Sequence, residues 1–210
     1  IYLCLGEPDF PTPEPIVKAA QEAMLAGETR YTHSLGRIEL RQAIAEHYQK
    51  RYKVTVDPEQ VTVSSATSPL MLLLFAALCN PDDEVILTDP GYACYPNFIR
   101  FVGAKPRFLR TRPEQGFQPQ PEDVVPLIND RTRALLINSP ANPAGSILSR
   151  AELAALADPS DCVEPLGLIP SVPTARPADV LTTAARSGCP AALYVGISPP
   201  DVFVPGPYAS

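Results

Sequence analysis

Apolar positions fall into segments of two periods along the first 157 residues, with turn-forming residues between them. Ile16, Ala19, Ala20, Ala23 and Met24 recur at helical spacing; Thr12 is placed to cap that helix, with Pro13 and Pro15 in the first turn and Gly27 beyond its end. Leu40, Ile44, Ala45 and Tyr48 share a face of a second helix. Val61-Thr62-Val63 reads as a short strand, and Leu70 to Cys79 as a helix apolar on all sides, hence buried. Asn80-Pro81-Asp82-Asp83 is a turn into a strand at Glu84–Thr88; further strands are predicted at Arg107–Leu109 and Ala134–Ile137. Helices at Tyr95–Val102 and Glu122–Ile128 separate them, and Ser149 with Glu152 forms a capping box that opens one more. Strands alternating with helices predict an α/β fold, a mainly parallel sheet with helices on both faces.

After Ala157 the pattern changes. Ten of the 26 prolines lie in residues 158–210, where Arg176 and Arg186 are the only basic residues. Pro165, Pro170, Pro173 and Pro177 remove backbone donors every few residues, so neither a long helix nor a central strand is expected there; Ala191–Ile197 alone reads as a strand. Two segments are therefore expected, 1–157 and a Pro-rich tail at 158–210. Because Ile1–Leu5 already looks like an apolar segment in progress, chain upstream of it is expected to have been lost.

A net charge of -6 without a basic run excludes a nucleic-acid surface and favours small-molecule partners. Cys4, Cys79, Cys94, Cys162 and Cys189 are scattered and without metal-ligand spacing, so free thiols and no metal site are expected. No run approaches a membrane span, and a cytoplasmic protein is expected.

Three turns stand where a strand passes into a helix or loop. Ser64-Ser65-Ala66-Thr67-Ser68-Pro69 precedes an apolar helix, where free N–H groups and the positive end of the helix dipole suit a phosphate; ordinary N-capping is the competing reading. Asp89-Pro90-Gly91-Tyr92 follows a strand, at the edge where α/β sheets hold ligands, and Tyr92 can stack on a flat heteroaromatic ring or simply pack. Asn138-Ser139-Pro140-Ala141-Asn142-Pro143-Ala144-Gly145 also follows an apolar strand, with the Asn142 amide free to point into a cleft or to belong to a simple loop.

Together with Gly6-Glu7-Pro8-Asp9-Phe10-Pro11-Thr12-Pro13, Arg30-Tyr31-Thr32, Gly36 and Leu40-Arg41, these strings resemble the class I/II aminotransferases of pyridoxal phosphate (PLP) fold type I, over residues 1 to about 157. The resemblance implies part of that family's large domain, with PLP as cofactor and an amino acid and a 2-oxo acid as substrates. It implies that Gly6 lies at the substrate carboxylate and that Ala66, Thr67 and Ser68 hold the cofactor phosphate. Tyr92 would stack on the pyridine ring, Asn142 would donate to the 3-hydroxyl oxygen, and Tyr31 would reach the phosphate of a second subunit in a homodimer. Position 66 is usually Gly in the family, so the Ala66 methyl is expected to crowd the phosphate.

The resemblance also sets requirements that these residues do not meet. Amino transfer needs a lysine amine beside the cofactor aldehyde, and the family places it well beyond the Asn-Pro loop in a Ser-x-x-Lys setting. Here Lys18, Lys50, Lys53 and Lys105 all precede Asn142, and residues 158–210 contain no Asp-Glu-x-Tyr strand end to pair with the ring nitrogen. The expectation is an aminotransferase-family chain that is inactive as written and binds PLP weakly or not at all. A truncated or altered reading of the gene near Asp158, such as a frameshift or an aberrant splice, is the simplest origin, and an aggregation-prone or partner-dependent chain the expected behaviour. A non-catalytic PLP-binding or interaction module, or a piece of another fold type I enzyme such as a carbon–sulfur lyase, stands as the alternative.

Overall fold

The computed structural model describes residues 10–157, 164–168 and 191–195. Gly6, Cys4, Cys162 and Cys189, and most of the Pro-rich tail, lie outside them. Helix α1 spans Glu14–Leu25 and α2 Ile38–Tyr52. Then come α3 (Thr67–Leu78), β1 (Glu84–Asp89), α4 (Tyr95–Phe101), β2 (Lys105–Arg110), α5 (Pro121–Val124), β3 (Thr132–Asn138) and α6 (Arg150–Ala157). Strands β4 (Glu164–Leu168) and β5 (Ala191–Val195) complete a five-stranded sheet of order β2-β1-β3-β5-β4, every pairing parallel.

Burial follows from that topology. Central strands of a parallel sheet are covered on both faces, so they carry continuous apolar runs, and Val85–Leu87 and Ala134–Ile137 are buried without interruption. One face packs Ile86, Leu135 and Ile137 against Val124 of α5 and Leu153 and Leu156 of α6. The other packs Val85, Leu87, Ala134 and Leu136 against Met71 and Phe75 of α3 and Tyr95 and Ile99 of α4. At about 2 kcal/mol for each large side chain fully buried, these two layers hold the sheet region together.

Several elements differ from expectation for identifiable reasons. Val61–Val63 pairs with no strand among the described residues; the Val63 N–H donates to the Leu35 carbonyl at 2.9 Å, which ties the segment to a turn. Helix α3 is apolar all round but buried on one side only, through Met71 and Phe75, while Leu73, Ala76 and Ala77 are exposed. Pro13 rather than Thr12 sits at the N-cap of α1. Its C-terminus ends as expected on Gly27, at φ 80°, with Gly27 and Glu28 N–H groups donating to the Met24 and Ala23 carbonyls. In α2 the buried face runs through Arg41 and Ala45, with Leu40 exposed. The helix predicted at Glu122–Ile128 stops at Val124 and tightens to a 3-10 turn at Val125–Leu127, since Pro126 cannot supply the next helical N–H. Pro165 lies within β4, the last strand in the sheet order, a position that tolerates a missing donor. The strand expected at Ala191–Ile197 is present as β5, between β3 and β4.

Candidate active site

Chain direction brings three turns to one edge of the sheet. Helix α3 ends at Leu78 and the Asn80–Asp83 turn leads directly into β1, so α3 runs antiparallel to the strand that follows it. The Arg133 Nε at the start of β3 donates to the Leu78 carbonyl at 2.8 Å, fixing the helix C-terminus at the amino edge of the sheet. Twelve helical residues rise ~18 Å and six strand residues ~20 Å, so the N-terminus of α3 comes level with the carboxyl end of β1. Strand β3 lies parallel beside β1, so its following loop opens on the same edge.

The N-terminus of α3 is chemically unfinished. Its N-cap is Ala66, which has no side-chain acceptor, and no residue in the first turn is acidic. The N–H groups of Thr67 and Ser68 therefore face outward with the positive end of the helix dipole behind them. Ala66 is extended, at φ -164°, a conformation open to any residue, so the backbone here does not call for glycine.

Tyr92 reaches the same place. Gly91 turns so tightly that a Cβ there would run into the Thr88 carbonyl oxygen, and this fold-back carries Tyr92 over the end of β1. The half-buried Tyr92 ring packs edge-on to Tyr95, with centroids 5.1 Å apart and planes at 76°. Its phenol lies within polar reach of the Cys94 thiol and the Ser68 hydroxyl. Cys94 holds its pKa above the ordinary tyrosine value, and Ser68 acts in the opposite direction. No motif in the sequence marks Cys94 as a member of this group. Burial pushes the Tyr95 phenol up to about 12, with Tyr92 adding to the effect.

Asn142 is exposed on the loop after β3, which is closed by the Gly145 N–H on the Ala141 carbonyl at 2.7 Å and the Ala141 N–H on the Ser146 carbonyl at 2.8 Å. Among the described residues no hydrogen bond links Asn142 to α3 or Tyr92. Tyr31 is fully exposed and lines an open cavity of about 410 Å³ with Arg30, His33, Arg37 and Arg41. Two of those guanidinium groups are already paired, Arg37 with Glu28 at 2.8 Å and Arg41 with Glu59 at 3.0 Å. Arg41 is buried and also donates to the Gly36 and Pro58 carbonyls, so it clasps the start of α2 to the Pro58–Gln60 turn. The structure thus gathers Ser68 and Tyr92, sets Asn142 on the same edge, and places Tyr31 in the cavity lined by the Glu28–Arg41 segment. Among the described residues no acidic and histidine or cysteine side chains cluster as a metal site, and no helix is long and apolar enough to cross a membrane.

Comparison with known proteins bears on the family and the fold. The family described as aminotransferase class I and II matches residues 1–162. The aspartate/prephenate aminotransferase of Thermus thermophilus is 41% identical over 157 residues, covering 75% of this chain and 41% of that protein. The arginine–pyruvate transaminase of Pseudomonas aeruginosa is 43% identical over 158 residues, covering 75% and 40%. Among solved structures, the Thermus thermophilus aspartate aminotransferase with maleate superposes with a TM-score of 0.72 at 40% identity, covering 75% of this chain and 41% of that one. The chain therefore spans about two fifths of the length of the relatives it matches, and within that span it shares their mainly parallel sheet, the fold type I arrangement. On the family match and on these identities, this chain belongs to the class I and II aminotransferases.

Proposed function

We propose that these residues form the phosphate and ring cradle for PLP in an aminotransferase whose reaction moves an amino group from an amino acid to a 2-oxo acid. The observation that carries this reading is the uncapped N-terminus of α3 with Ser68 and the Tyr92 phenol at one point of the sheet edge. An anion at Thr67 and Ser68 meets N–H donors and a helix dipole, and a flat ring attached to it meets the Tyr92 face. Asn142, one loop away on the same edge, supplies an amide to the ring's 3-oxygen. PLP, when bound, supplies an aldehyde that condenses with amines and a ring that withdraws electron density. Gly6 at the substrate carboxylate, and Tyr31 reaching into a second copy of the chain, belong to the same reading. The exposure of Tyr31, Met24 and Leu25 supports a homodimer that covers them. The family match ends near residue 162, which supports a division into an aminotransferase segment at 1–157 and a Pro-rich segment from 158.

These residues hold and orient the cofactor but do not supply the reactive amine. Lys18 and Lys50 lie on the exposed faces of α1 and α2, ion-paired to Glu22 and Glu46 at 3.9 and 3.2 Å. Lys53 caps the end of α2, its Nζ donating to the Lys50 carbonyl. Lys105 opens β2 at the amino edge of the sheet, paired with Asp82, so a strand length of ~20 Å separates it from the site. Three charge-assisted hydrogen bonds at ~2 kcal/mol each contribute ~6 kcal/mol, below the ~8 that a micromolar complex needs. Binding weaker than micromolar and fully reversible follows. The test is to saturate the 210-residue chain with PLP, reduce with borohydride so that any lysine adduct becomes permanent, and weigh the protein. Unmodified mass after measurable binding by dialysis is expected; a permanent adduct on any of the four lysines contradicts the reading.

A further inference from the structure

Asn138 closes β3 at 8% exposure, and neither its Nδ2 nor its Oδ1 has a hydrogen-bond partner among the described residues. Buried amides are nearly always paired, and a carboxamide left with both ends open is more costly than an apolar side chain of its size. The next residue shows the contrast. Ser139 is also buried, yet its Oγ accepts from the Leu148 N–H at 3.0 Å and so ties down the loop. The loop closes without using Asn138.

Strand alternation fixes which way Asn138 faces. Leu135 and Ile137 pack toward α5 and α6, whereas Ala134 and Leu136 pack toward α3 and α4 with Tyr95. Two residues beyond Leu136, Asn138 belongs to the second face. The register that sets Leu87 beside Leu136, carried two residues on, sets Asn138 beside Asp89, where the turn to Tyr92 begins. The Tyr95 hydroxyl, at the base of the Tyr92 ring on this face, is likewise buried without a partner. Open polar groups therefore collect under the site, where the sheet otherwise presents only hydrocarbon.

We propose that Asn138 is a second carboxamide of the ring pocket, donating from Nδ2 to an in-plane oxygen of the PLP ring system. This rests on the reading that PLP binds at α3 and Tyr92. The donor role follows from the ligand: at neutral pH its in-plane oxygens, phenolate and aldehyde, are acceptors. Asn138 also differs from Asn142 in its support. Asn142 rides an exposed loop, whereas Asn138 is held by the strand ladder and presents its amide from a rigid element, so it orients the ring before the loop amide engages.

Two variants test this in the 210-residue chain, with PLP affinity measured by equilibrium dialysis, inorganic phosphate as control ligand, and ligand-free Tm by circular dichroism. Asn138→Leu removes both open polar atoms at similar volume. It is expected to raise the ligand-free Tm by a few degrees, to weaken PLP binding about tenfold and to leave phosphate binding unchanged. Asn138→Asp keeps acceptors but loses the donor, and is expected to weaken PLP binding by at least as much. Wild-type PLP affinity in either variant overturns the proposal and leaves the site at α3 standing. A lower Tm for Asn138→Leu also overturns it, because the amide would then be satisfied within the folded chain. Failure of the unaltered chain to bind PLP at all removes the site reading and this proposal together.

Discussion

The sheet and the N-terminal arm both carry regularly spaced apolar side chains, yet they end in opposite conditions. In the sheet, Val85–Leu87 and Ala134–Ile137 are sealed between helices on both faces. In α1 no residue is buried, and Ile16, Val17, Met24 and Leu25 all face outward. An amphipathic helix gains little until its apolar face meets another surface. Stability therefore resides in the sheet region, and the arm is held by local devices: the Gly27 terminus of α1 and the Arg41 clasp of α2. The candidate site sits on the stable side of this division, at the carboxyl edge of β1 and β3, while Tyr31 sits on the other.

The sharpest way to break that comparison is to cut each region by the same chemistry. Ile86→Ala, at the centre of the sheet, is expected to cost about 2–5 kcal/mol in urea unfolding. Leu25→Ala, 90% exposed, is expected to stay within about 0.5 kcal/mol; equal costs would mean that α1 is buried in solution. Arg41→Met removes three hydrogen-bonded contacts at the clasp and is expected to cost about 1–3 kcal/mol locally. Hydrogen exchange should then quicken in α2 and the Pro58–Gln60 turn and stay unchanged in β1 and β3.

The sheet region also has an alkaline limit. Folding raises the Tyr95 phenol to about 12 through burial, so its protonated form is favoured in the native state. That contribution is complete below the unfolded pKa near 10 and is lost as pH rises toward 12. Tyrosinate absorbance should show a late phase near pH 12 that is reduced in Tyr95→Phe; Tyr48, raised to about 12 by burial, contributes to the same phase. The smallest expected effect is at α6, where the Ser149 Oγ accepts from the Glu152 N–H and the Glu152 carboxylate accepts from the Ser149 N–H. Ser149→Ala should cost about 1 kcal/mol. Because Ser149 holds the Glu152 carboxyl below its ordinary value, this contribution is present above the unfolded pKa and lost as pH falls through the folded one. The Glu152 midpoint seen by NMR should rise in the variant.

What could be read from the sequence was whatever is local. The Glu84–Thr88 and Ala134–Ile137 strands, the Ser149–Glu152 box and the Gly27 stop each follow from neighbours within a few residues. Pairing and covering are not local. Val61–Val63 has strand chemistry but finds only the Leu35 carbonyl, and α3 has the composition of a fully buried helix but meets a layer on one side only. The site was legible as three separate turns, because each marks where a strand or helix ends. Their convergence was not, since Ser68 and Tyr92 meet only through the antiparallel return of α3 on β1. Nothing in the residue types of Asn138 or Cys94 distinguishes them from a strand end and a scattered thiol; burial and neighbours do.

The most direct test of the account follows the backbone amide resonances of the 210-residue chain as PLP is added. The Thr67 and Ser68 N–H signals are predicted to move furthest, with Tyr92 close behind and the Arg30–Arg41 segment still. Largest shifts around the Tyr31 cavity, with Thr67 and Ser68 unmoved, would contradict the assignment of the α3 terminus as the phosphate site.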